Sequence, residues 1–396
     1  MNTLRRLFLE HVGQTSDCPL MIEVERAEGI YLYGPDGKRY IDLISGVSVS
    51  NVGHGNPKVV EAVCRQARDY MHLMVYGEMI ETPQVAYAKR IASHLPESLQ
   101  SVYFVNSGSE AVEGALKLAK RYTGRTELVA FRNAYHGSTH GALSVMGGEA
   151  YKYAFRPLLP DVRHIGFNDF DDLGRITSRT AAVIIEPVQG EGGVQLPAPG
   201  FLEALRRRCD ETGAQLIFDE IQTGFGRTGS WFAFRKYGVV PDILVLAKAL
   251  GGGMPLGAFV ASTEKMNVLR TDPMLGHITT FGGHPVCCAA GLAALEYLEE
   301  TGLVDEAERK GLRFEERLKR HPLVRGIRRA GLLLAVETGE SRIALGLIRD
   351  FVEAGLLPDS FLWCDTAFRI APPLIITDEQ IDETCDIVLR CLDAYR

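Results

Sequence analysis

Short apolar runs recur through the middle of the chain, and most are followed by stretches whose apolar residues return at helical spacing. Strands are expected at 102–105, 128–131, 162–165, 181–186, 215–219, 243–247 and 257–261. Several of these are apolar at every position, as strands covered on both faces should be. Helices are expected between them, for example at 110–121 and 199–212. This α/β alternation predicts a mostly parallel sheet of seven strands wrapped by helices. The rhythm changes after a helix at 285–301. Helices at 305–320, 343–354 and 377–395 then alternate with short strands at 331–337 and 368–371. That pattern predicts a smaller α+β lobe. The first fifty residues read as short strands and turns. A strand at 29–33, the turn Gly34-Pro35-Asp36-Gly37 and a strand at 39–42 form a hairpin expected to pack with the small lobe. The expected units are therefore an N-terminal segment at 1–56, a large domain at 57–295 and a small domain at 296–396.

Composition changes this picture little. The chain has 396 residues, longer than one typical core, which agrees with two lobes. Net charge is −7 with no long block of like charge, which argues against nucleic acid or an anionic membrane as partner. No apolar run reaches the ~18 residues of a membrane helix. Leu7-Phe8-Leu9 is interrupted at once by Glu10 and His11, so no signal peptide is expected. None of the eight cysteines falls in a C-x-x-C pair, and reduced thiols are expected rather than disulfides or a metal site. A cytoplasmic location fits this pattern.

The candidate chemistry sits where strands end. Lys248 closes the run Ile243-Leu244-Val245-Leu246-Ala247 and precedes Ala249-Leu250-Gly251-Gly252-Gly253. An amine there can form an imine with a carbonyl, or simply reach water. Gly108 and Ser109, in Asn106-Ser107-Gly108-Ser109-Glu110, open a helix whose free N–H groups favour an anion; a plain serine cap is the alternative. Asp219 ends an apolar strand, where it can hold a protonated pyridine nitrogen or cap a turn. Tyr135, in Ala134-Tyr135-His136-Gly137, can stack on a planar ring or pack in the core. His136 reads as structural. Glu191 lies in the polar, glycine-rich stretch 186–193. Arg369 sits in a short apolar strand and needs an anion, either a substrate carboxylate or an internal one. Gly224-Phe225-Gly226-Arg227-Thr228-Gly229 matches a dinucleotide-binding pattern, but it starts five residues past Asp219 and runs into Ser230-Trp231-Phe232 instead of a helix.

Taken in order, Ser-Gly-Ser-Glu-Ala, Tyr-His-Gly, Glu-Pro-Val-Gln-Gly-Glu-Gly-Gly, Asp-Glu-Ile-Gln-Thr-Gly-Phe-Gly-Arg-Thr-Gly, Ala-Lys-Ala-Leu-Gly-Gly-Gly and Arg-Ile-Ala-Pro-Pro resemble the class III aminotransferases, from about Gly29 to Thr377. The resemblance implies a fold type I enzyme that uses pyridoxal 5′-phosphate and moves an amino group from an amino acid or terminal amine to an oxo acid in a ping-pong cycle. A decarboxylase or racemase on the same scaffold is the alternative. It implies Lys248 as the Schiff-base lysine and Asp219 as partner of the pyridine nitrogen. By the same resemblance Gln222 lies where the family contacts the ring's phenolic oxygen, Gly108 and Ser109 match the phosphate cup, and Tyr135 matches the aromatic stacked on the ring. Thr280 reaches a neighbouring subunit's phosphate, which implies a homodimer with shared sites. Arg369 is the carboxylate-binding arginine and Glu191 the gate that neutralises it. The pattern departs at Ser138, where relatives using acetylornithine or ornithine with 2-oxoglutarate usually carry arginine. Val47 also stands where ornithine-specific relatives tend to have tyrosine. A hydroxyl cannot replace a guanidinium's bidentate grip, so both departures count against a strict ornithine enzyme.

Overall fold

The structure, a computed structural model, describes residues 3–395. Its centre is a seven-stranded sheet in the order β4-β10-β9-β8-β7-β5-β6. These strands are β4 (Ser101–Val105), β5 (Glu127–Phe131), β6 (Val162–Ile165), β7 (Thr180–Ile185), β8 (Gln215–Asp219), β9 (Ile243–Leu246) and β10 (Gly257–Ala261). Neighbours from β9 through β6 run parallel, and β10 alone is antiparallel to β9 and β4. Every residue of β5, β7, β8, β9 and β10 is buried, which explains why these runs carry no polar alternation. From the neighbouring strands β5 and β7 the chain leads to opposite sides, to β6 and to β8, which opens a crevice at the carboxyl ends of the strands.

Two smaller sheets flank it. One joins β1 (Arg26–Glu28), β2 (Tyr31–Tyr33) and β3 (Arg39–Asp42) to β13 (Leu356–Leu357). The parallel pairing of β3 with β13 joins the N-terminal hairpin to a strand near residue 356. The other sheet has the order β11-β12-β14, with β11 (Gly326–Ala330), β12 (Leu333–Glu337) and β14 (Ala367–Ile370). The first fifty residues differ from expectation, because Thr3–His11 is a helix with no buried residue. With no face against the core, it leaves no mark in the burial pattern that the sequence encodes.

Local chemistry sets the helix ends. Pro57–Asp69 starts with Pro at its first turn and with Asn56 Oδ1 accepting from Lys58 N at 3.1 Å. Gly108–Thr123 is capped by Ser107 Oγ, which accepts from Glu110 N at 3.2 Å, and stops at the left-handed Gly124. Asp378–Asp393 carries a capping box between Thr377 and Gln380. Pro285–Thr301 is buried along most of its length, against Pro57–Asp69 and Thr82–Ala92.

One buried cation joins all three parts of the chain. Arg227 Nη1 donates to Leu332 O at 2.9 Å and Pro372 O at 2.6 Å, and Nη2 donates to Asn51 Oδ1 at 2.6 Å. Burial lowers its pKa to about 9, opposed by Asp42. The glycine-rich segment around it is thus a structural knot and not a nucleotide loop. Replacing Arg227 with Met strands three buried acceptors, each of which costs about 1–3 kcal/mol when unpaired. Denaturant titration of that variant is expected to show a loss of about 3 kcal/mol or more; an unchanged midpoint contradicts the knot.

Candidate active site

Lys248 follows β9 directly and begins the short helical turn Lys248–Gly251. Its backbone is left-handed, with φ of 54°. For a residue with a Cβ this costs roughly 1–2 kcal/mol, so the surrounding packing holds it there. Its side chain enters a cavity of about 510 Å³ that is also lined by Ser107, Gly108, Ser109, Tyr135, Asp219 and Gln222. Burial pushes the Lys248 ammonium below the usual lysine range; Glu191 opposes this and Arg369 adds to it.

Asp219, the last residue of β8, is almost fully buried. Its Oδ1 accepts from Ile221 N at 3.0 Å, and its Oδ2 lies 2.7 Å from His136 Nδ1. His136 is equally buried, and its Nε2 has no hydrogen-bond partner. The histidine read as structural from the sequence therefore orients the carboxylate. Nothing local could show this, because the pair meets only through the order of β5, β7 and β8.

Glu186 follows β7 and is buried beside the same pair. Its two oxygens accept from Tyr135 N and Gly190 N, each at 2.9 Å. It thereby holds the Tyr135 loop and the Glu191 loop together. Burial raises its carboxyl to about 7, with His136 pulling it down and Asp219 pushing it up. Gly137 shows why this site excludes side chains: it has φ of +121°, and a Cβ there would sit 2.1 Å from Ser109 Oγ. Ser109 Oγ in turn accepts from Ser138 N at 3.2 Å.

An adjoining cavity of about 860 Å³ shares Tyr135, Glu191 and Lys248 and carries Val47, Ser138, Tyr151, Phe155 and Leu362 on its walls. Val47 belongs to a left-handed stretch, Ser45–Ser48, with φ of 53°, 60°, 61° and 65°. Behind this cavity Arg369 is fully buried. Its Nη2 donates to Glu191 Oε1 at 2.6 Å, the internal pairing that the sequence left open. Thr280 stands apart: it is exposed and lines neither cavity.

The donor set fits a flat, charged ring bearing a phosphate. The first N–H groups of Gly108–Thr123 have no intrahelical acceptor and point an anion site into the cavity. Gln222 Nε2 is buried with no partner, so it has a hydrogen bond to give. A lysine, a buried aspartate and an aromatic side chain surround the same space.

A fold of this kind with an amine and a carboxylate at adjacent strand ends suits an enzyme that works through a carbonyl coenzyme. The family model for class III aminotransferases matches residues 12–392, and the chain belongs to that family. It is 40% identical over 378 residues to an acetylornithine aminotransferase of Methanosarcina mazei, covering 93% of this chain and 91% of that one. A transaminase from the marine bacterium Virgibacillus superposes with a TM-score of 0.94 at 28% identity, covering 99% of both chains. An ornithine aminotransferase from Toxoplasma gondii with partial pyridoxal phosphate occupancy gives a TM-score of 0.90 at 31% identity, covering 99% of this chain and 93% of that one. The enzyme is a pyridoxal phosphate-dependent aminotransferase of fold type I.

Proposed function

We propose that Lys248 both carries the coenzyme and moves the proton during transfer between an amino acid or terminal amine and an oxo acid. The observation behind this reading is the Lys248 amine, held in one cavity with Asp219, Gln222 and an open helix start. Pyridoxal phosphate, when bound, supplies the electron sink and receives the amino group. The protein's side chains do the rest. With the coenzyme bound, the Lys248 amine, whose pKa burial lowers, would be placed to carry the proton between the substrate carbon and the coenzyme. Asp219, steadied by His136, would pair with the ring nitrogen. Gln222 Nε2, buried without a partner, would donate to the coenzyme's ring oxygen, and Gly108 and Ser109 would hold its phosphate. Tyr135 would cover the ring and keep water away. Arg369 receives a substrate carboxylate once Glu191 leaves it.

The domain division expected at 1–56, 57–295 and 296–396 belongs to the same proposal. So does the homodimer: Met71, Met79, Ile80, Met274 and Phe281 are exposed apolar side chains, and Thr280 lies among them in sequence. Thr280 would serve the neighbouring subunit's phosphate. A cytoplasmic site of action belongs to the same proposal; among the described residues no helix is long and apolar enough to cross a membrane.

Borohydride reduction of the coenzyme-loaded protein, followed by peptide mass mapping, tests the central role. The adduct is expected on Lys248. An adduct on another lysine, or none at saturating coenzyme, overturns the reading.

A further inference from the structure

Glu186 lines the cavity that holds the Lys248 amine, yet the transfer chemistry gives it no task. It is buried, and a carboxylate kept out of water is costly unless hydrogen bonds offset the loss. Both of its oxygens are used. Oε1 accepts from Tyr135 N and Oε2 from Gly190 N, each at 2.9 Å. An amide at this position has one oxygen, and its nitrogen can only donate. Glutamine would therefore serve one of the two N–H groups and face the other with a second donor. Two bonds to two separate loops call for a carboxylate.

Each N–H leads to a different working part. The first belongs to Tyr135, whose own side chain lines the cavity. The second belongs to Gly190, the residue before Glu191. The Gly190 carbonyl accepts from Gly193 N at 3.1 Å and Val194 N at 3.2 Å, and Gln189 pairs with Gln195 across the base of the same loop. Glu191 is thus carried on a seat that Glu186 pins from below. Gly190 also backs onto Gln222. A Cβ on Gly190 would lie 1.9 Å from Gln222 Oε1 and 3.6 Å from its Nε2. The bare glycine makes room for the amide oxygen, and Nε2 is the end left without a partner. A shift of Gly190 moves the surface on which that amide rests.

We infer that Glu186 is a positioning residue: one buried carboxylate sets the place of Tyr135, the seat of Glu191 and the direction in which Gln222 can give a hydrogen bond. This rests on the Lys248 reading above and deepens it. Glu186 needs no contact with coenzyme or substrate to do this. Cover over the ring and the hydrogen bond to its oxygen depend on the same side chain, so losing the carboxylate disturbs both together.

Two substitutions separate the links. Both are studied in the coenzyme-loaded protein, by hydrogen exchange in peptides containing Tyr135 and Gly190, by the position of the coenzyme's visible band and by its dissociation constant. Glu186→Gln should speed exchange at one of the two amides, displace the band and weaken coenzyme binding, the exchange and the binding each by about tenfold, as expected for loss of one hydrogen bond to a charged acceptor. Gly190→Ala keeps both bonds to Glu186 and pushes Gln222 aside. It should displace the band while exchange at Tyr135 stays normal. A role in stability alone would lower the melting temperature of Glu186→Gln and leave the band and coenzyme affinity of the folded protein unchanged; that result overturns the inference. Should Glu186→Gln not fold, Gly190→Ala decides: a displaced band with normal exchange at Tyr135 supports the inference, and an unmoved band overturns it. Borohydride is expected to trap the coenzyme on Lys248 in every folded variant. Absence of that adduct from the unmodified enzyme overturns the Lys248 reading instead.

Discussion

Lys248→Ala is expected to abolish transamination, with turnover falling by roughly 10⁴-fold or more, because one side chain supplies both the covalent anchor and the proton carrier. The fold should survive. Among the described residues Lys248 makes no side-chain hydrogen bond or ion pair, and the strand before it, β9, is buried throughout. Removing the side chain does not relieve the left-handed backbone, since alanine also carries a Cβ. The variant should therefore bind pyridoxal phosphate without the covalent link. Steady-state assays with an amine and an oxo acid, together with a circular dichroism melt, check both halves. Turnover at the normal rate by a folded variant would remove Lys248 from the mechanism.

Asp219→Asn should cost roughly 10²–10³-fold in turnover with the coenzyme still bound. The replacement has the same shape. Its Oδ1 can still accept from Ile221 N, and its Nδ2 can face His136 Nδ1 in the other tautomer. What vanishes is the buried negative charge against the ring nitrogen. Removing one partner of a buried charge pair costs about 3–5 kcal/mol, which corresponds to the stated loss in rate. A kcat within a few-fold of normal would show that the ring nitrogen needs no anion here.

The large sheet was legible because its strands are buried on both faces, and burial writes itself into sequence as unbroken apolar runs. β8 was expected at 215–219 and lies at Gln215–Asp219; the helix expected at 285–301 lies at Pro285–Thr301. Elements without a buried face left weaker traces. Thr3–His11 has none, and β11 is an edge strand whose Arg328 and Arg329 break any alternation. The candidate site divides in the same way. Lys248, Asp219 and the Gly108–Ser109 helix start were visible because each terminates a recognisable strand, and the family resemblance supplied the assignment of roles. The pairings were not visible. His136 meets Asp219 across 83 residues, and Glu191 meets Arg369 across 178. Such contacts are consequences of strand order and lobe packing, to which no local window has access.

The Arg227 knot also bears on how molecules come and go. Prising the lobes apart like a clamshell would tear several bonds from a guanidinium that water cannot reach to compensate. Substrate entry is therefore expected to use small rearrangements at the rim of the crevice that leave the Arg227 bonds intact.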